Sequence, residues 1–89
     1  MSTDYQLLLT ALIRIVNAEQ SLYILTRLSR AAESLFPDGD YVQKERDIVE
    51  KIVQSNRNSN EEEIKMLWEE YKQALVEFLQ RKKDELNKL

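Results

Sequence analysis

From Tyr5 to Phe36 the chain runs without a Gly or a Pro, and the segment at its heart, Leu7 to Val16, is apolar except for Thr10 and Arg14. Nothing in this stretch breaks a helix. Placed at helical spacing, Gln6, Thr10, Arg14, Asn17 and Ser21 share one narrow stripe, and nearly everything else from Tyr5 to Ala18 is apolar. That face is far wider than a surface helix needs. Past Ser21 the pattern reverses: Ile24, Leu28, Ala31 and Leu35 occupy the line that was polar before, with Leu25 and Ala32 beside it. The apolar stripe has therefore rotated by about half a turn. A continuous helix would bury its two halves against different neighbours. A helix broken near Asn17 to Gln20 is the alternative, with Asn17 as a new cap and Gln20 at the third position after it. The absence of Gly and Pro favours continuity, which gives a rod roughly 45 Å long.

The remaining segments are easier to place. Pro37-Asp38-Gly39-Asp40 is turn chemistry, and Asp40 with Gln43 approximates a capping box, so a second helix is expected over about 41–55. Val42, Ile48, Val49, Ile52 and Val53 form its inward stripe. Its outward face is charged, with Asp47 ahead of Lys51 in the favourable order. Ser55 to Asn60 reads as a polar linker, and Ser59 with Glu62 is a capping box for a third helix over about 60–87. Glu61, Glu62 and Glu63 meet the positive end of that helix, and Arg81, Lys82, Lys83 and Lys88 lie toward the other. Ile64, Leu67, Trp68, Tyr71, Leu75, Phe78, Leu79, Lys82 and Leu86 recur along it at steps of three and four.

These elements predict an all-α fold: a single domain over 1–89, arranged as an antiparallel three-helix bundle of long, short and long helices. The second helix is too short to cover the first, which leaves the Tyr5 to Val16 band short of partners. Burying a Leu or Ile side chain contributes roughly 1.5–3 kcal/mol. Leu8, Leu9, Leu12, Ile13 and Val16 are therefore expected to bind a protein partner, either a second copy or a larger complex.

Composition excludes several chemistries. With no Cys and no His among 89 residues there is no thiolate site, and the commonest metal ligand is missing. Asp38-Gly39-Asp40 with Glu45 begins like a calcium loop, but the Gly and the bidentate acid required later in such a loop are absent. No metal and no cofactor is expected. The net charge of −3 lacks the basic excess of a general nucleic-acid binder, so direct nucleic-acid binding is not expected. The N-terminus has no basic signal region, and the apolar run is too short to span a bilayer. The expectation is a soluble, cytoplasmic protein without membrane contact.

One charged group offers a sharper alternative. Arg27, Arg30, Lys44 and Arg46 lie where the second helix turns back, and Arg presents a planar fork to phosphate or carboxylate groups, so an anion pocket is the alternative to ordinary surface pairing. Lys44-Glu45-Arg46-Asp47 is similar to the Arg-Glu-Arg-Asp run that opens the second helix of the helical chorismate mutases. The long, short, long pattern resembles those intertwined dimers as well. The resemblance implies an enzyme in which Lys44 replaces an active-site Arg and Glu45 is retained. The chain departs from that pattern in three places: Tyr41 stands where an Asp is expected, no Lys ends the first helix, and only Gln73 or Gln80 is offered by the third. The function expected from the residues themselves is non-enzymatic, a helical protein–protein interaction module acting as a homodimer or a small accessory or regulatory subunit. An accessory role in a nucleic-acid-processing complex is a further alternative.

Overall fold

Among the described residues the chain forms four helices rather than the expected three. The computed structural model describes residues 2–88, with side chains from Asp4 onward. The elements are α1 (Ser2–Ala18), α2 (Leu22–Leu35), α3 (Gly39–Arg57) and α4 (Glu61–Asn87). The expected first helix over 3–36 is thus two helices, and the broken form is the one adopted.

The break needs neither Gly nor Pro because side chains supply the turn. The Glu19 carboxylate accepts from the backbone N–H groups of Gln20 at 3.2 Å and Ser21 at 2.9 Å. Ser21, rather than Asn17, caps α2 by accepting from the Ile24 N–H. From α4, the Lys72 ammonium donates to the Glu19 carbonyl at 3.0 Å. A side chain–satisfied terminus of this kind replaces the hydrogen bonds that a continuous helix would have made. The rotated apolar stripe is the driving force. By folding back, α1 and α2 bring stripes of opposite phase onto one shared core instead of two separate ones.

The later caps differ from expectation by one or two residues. Asp38, not Asp40, caps α3 through the N–H groups of Asp40 and Tyr41, so α3 begins at Gly39 and runs to Arg57. Asn60, not Ser59, caps α4. It accepts from the Glu63 N–H at 3.1 Å while its own amide donates to the Glu63 carboxylate at 3.1 Å. Ser59 takes the left-handed conformation, φ 54°, just past the Asn58 cap, and so ends α3 much as a Gly in that place would.

The helices run up and down in chain order around α4. Gln6 near the start of α1 bonds to Asn87 near the end of α4, while Glu19 lies beside Lys72, so α1 and α4 are antiparallel. Asp38 pairs with Lys82 at 3.1 Å and Lys44 with Glu77 at 3.8 Å, which sets α3 antiparallel to α4 as well. The rings of Tyr5 and Phe36 meet edge to face at 6.1 Å, returning the end of α2 to the start of α1. Both α1 and α3 pack most extensively on α4, whereas α2 touches α1 and α4 more lightly.

The core follows this geometry. Leu9 and Val16 of α1, Leu25 and Ala32 of α2, and Tyr41, Ile48 and Ile52 of α3 close on α4. The spacing of seven along α1 and α2 is the narrow seam of a bundle helix. The central α4 needs a wider stripe, built from Leu67, Tyr71, Ala74, Leu75, Phe78 and Leu79. Tyr41 stacks on Phe78 with ring centroids 4.2 Å apart.

Candidate functional site

The first helix carries more apolar surface than the fold consumes. Leu9 and Val16 are fully buried, and Leu12 and Ile13 pack against the core. Of the five side chains expected to meet a partner, only Leu8 is exposed, at 39%. Leu9 and Val16 point into the chain's own interior because α4, not a second protein, covers that side of α1. The free apolar side is rotated from it: Leu8, Ala11 and Ile15 recur at steps of three and four, and Leu7 borders them.

The same displacement occurs on α2. Leu25, Ser29 and Ala32 face inward, and Ser29 and Glu33 lie on the flank turned toward α3. Ile24, Leu28, Ala31 and Leu35 therefore occupy the opposite flank by helical spacing, on the side where α2 meets α1. With the two helices antiparallel and Tyr5 against Phe36, Leu8 and Leu35 lie toward one end of the pair and Ile15 and Ile24 toward the turn, with Leu12 and Leu28 between. Leu8, Ile15, Ile24 and Leu35 are all exposed and Leu12 and Leu28 half-buried. An open apolar seam thus runs along the α1–α2 hairpin. Among the described residues no helix is long and apolar enough to cross a membrane.

Beneath the other flank of α2 lies a polar cluster that joins three helices. The hydroxyls of Ser29 and Tyr41 are 2.7 Å apart. Both Ser29 and Tyr71 donate to the Glu45 carboxylate. Glu33 approaches the same carboxylate, and its Oε1 is buried without a hydrogen-bond partner. Burial raises the Glu33 carboxyl from its ordinary 4.5 to about 7, aided by its hydrogen bond to Glu45 and the neighbouring charge. Glu45 moves the other way. Burial opposes its charge, but bonds from Glu33, Ser29 and Tyr71 outweigh that and hold it below the usual range. Burial also pushes both tyrosine hydroxyls up, so they act as donors and not as bases.

The expected anion pocket does not assemble. Arg27 donates to the Tyr23 hydroxyl at 3.1 Å and lies over that ring. Arg27 and Arg30 share an open depression, which neither Lys44 nor Arg46 lines. Lys44 is turned to Glu77, and Arg46 is exposed on α3. Glu45, which the Lys44 to Asp47 run placed in a mutase-like site, is engaged by Ser29 and Tyr71 instead. The interrupted first helix also lacks the continuous span which that resemblance implies. Among the described residues no group of three or more potential ligands is placed to hold a metal ion.

Two further open clefts lie among the described residues. One of about 470 Å³ lies between the α1–α2 turn and α4, lined by Leu22, Leu25, Ile64 and Trp68 with Lys72 at its side. The other, of about 320 Å³, lies between α2, α3 and α4 against Val49, Ile52, Trp68 and the edge of the Glu45 cluster.

The polar cluster left a trace in the sequence. Ser29 interrupts the Leu25–Ala32 stripe, and Glu45 sits between Tyr41 and Ile48 on the inward side of α3. Comparison of the chain with protein families, with curated proteins and with solved structures finds no match.

Proposed function

We propose that the protein is a non-enzymatic helical interaction module whose α1–α2 seam binds another protein, a second copy of the chain in the first instance. The observation that carries this reading is the row of Leu8, Ile15, Ile24 and Leu35, all exposed on neighbouring helices. A contiguous apolar surface of this kind is uncommon on a monomer and marks an association site.

Charge favours a second copy. Asp4, Glu19 and Glu33 are matched through residue 36 by Arg14, Arg27 and Arg30, so the hairpin is formally neutral while the whole chain carries −3. Two chains meeting through this face would keep their acidic remainders apart. A twofold arrangement would apply the same patch from both sides. The larger partner of an accessory subunit is the other form of this reading, and it would use the same seam.

Light scattering on a sizing column tests the proposal with wild type and an Ile15→Asp/Ile24→Asp double variant. Wild type is expected at dimer mass, and the variant at monomer mass with its helical circular dichroism unchanged. Wild type running as a monomer throughout a hundredfold concentration range would overturn the homodimer.

A further inference from the structure

The Glu33–Glu45 pair has a geometry that only a proton completes. Glu33 comes from α2 and Glu45 from α3, and the two carboxyls meet where Tyr71 of α4 closes the space. Glu45 accepts from two hydroxyls, but Glu33 Oε1 is sealed from water with no donor within reach. A buried acceptor left without a partner is costly, and two half-buried carboxylates side by side repel. One shared proton removes the repulsion, because a neutral Glu33 can donate to the charged Glu45, and it lessens the cost of the orphaned oxygen, since a neutral carboxyl is cheaper to bury than a carboxylate. The other charged or titratable groups facing the pair are Arg30 from α2, Tyr41 from α3 and Tyr71 from α4. Tyr41 and Tyr71 stay neutral wherever either carboxyl titrates, and Arg30 offsets part of the repulsion without supplying the missing hydrogen bond.

The backbone arrangement gives this proton mechanical importance. The second helix packs more lightly than α1 or α3. Its fully buried apolar side chains are Leu25 and Ala32, with Leu28 and Phe36 partly buried against the core, and its ties to α3 are Ser29 and Glu33. The cluster is therefore the polar tie between α2 and α3.

We infer that the Glu33–Glu45 pair is a proton-operated latch: with one shared proton α2 is held against α3 and α4, and loss of that proton loosens α2 without unfolding the other helices. The sign follows from the direction of the shift. Because Glu33 holds its proton more tightly folded than unfolded, its contribution is complete below about 4.5 and is lost as pH rises to about 7. The latch operates whatever the α1–α2 seam binds, since it lies on the opposite flank of α2.

The test is amide hydrogen exchange, corrected for intrinsic rates, combined with carboxyl-carbon NMR titration of the wild-type protein between pH 5 and 8. Protection of α2 amides is expected to fall with pH, by no more than about tenfold per pH unit for a single linked proton, while α4 amides hold theirs. Glu33→Gln, which keeps a donor toward Glu45 and cannot titrate, is expected to flatten the α2 profile. The Glu33 carboxyl carbon in wild type is expected to titrate well above the ordinary glutamate range. A Glu33 titration near 4.5, or an α2 profile independent of pH in wild type, would overturn the latch. The wild-type NMR measurement keeps that judgement available even if the variant fails to fold.

Discussion

Ser29 is a small residue with a large share of the polar interior. It is fully buried, lies 2.7 Å from the Tyr41 hydroxyl and donates to Glu45. Ser29→Ala leaves the tyrosine and the carboxylate each short of a partner, and stability is expected to fall by about 1–3 kcal/mol in a urea melt. Tyr71→Phe removes a different donor from the same carboxylate. Its effect is expected to be less than additive with Ser29→Ala, because both variants act through Glu45. Ser59 offers the opposite case. Its φ of 54° suits Gly better than any residue with a Cβ, so Ser59→Gly is expected to stabilise the protein by about 0.5–1 kcal/mol, read as a rise in the urea midpoint.

At the scale of elements, Asp38 joins two helices. It caps α3 and pairs with Lys82 at 3.1 Å and Arg81 at 3.6 Å on α4. The Tyr41 N–H, together with Lys82, holds its carboxyl below the ordinary 3.8. The stabilisation is therefore present above that value and is lost as pH falls through the depressed one. Asp38→Ala is expected to cost about 1–2 kcal/mol at neutral pH, with a smaller difference from wild type in strong acid, as a pH series of thermal melts would show. The sequence made the helical class and the second and third helices legible, because Pro37-Asp38-Gly39 and Ser55 to Asn60 are strong punctuation. It hid the turn at Glu19 to Ser21 because that turn is made by a carboxylate folding onto its own backbone and by a Lys arriving from α4. Neither has a local signature. The change of apolar phase was the visible clue, and its physical meaning lies in the single core that both stripes share. The partner face was displaced for the same reason. Leu9 and Val16 lie among residues that all look available in one dimension, and only the position of α4 separates the buried side from Leu8 and Ile15.

In the whole molecule α4 serves as a common wall, and this shapes how the chain reaches its structure. The α3–α4 hairpin forms through contacts close in sequence, whereas α1 must return to α4 from the far end of the chain, as the Gln6–Asn87 bond shows. Contacts across short loops form first because loop-closure entropy rises with length. Ile48→Val, at the α3–α4 contact, is therefore expected to slow folding. Val16→Ala, on late-arriving α1, is expected mainly to speed unfolding, and stopped-flow chevrons distinguish the two. The order has a consequence for the cell's handling of the chain. During the interval when α3 and α4 have paired and α1 has not arrived, the part of the α4 apolar stripe that α1 covers in the finished fold lies open to water. The species most prone to aggregate is then this half-assembled hairpin, whose sticky surface is the one that the finished protein conceals.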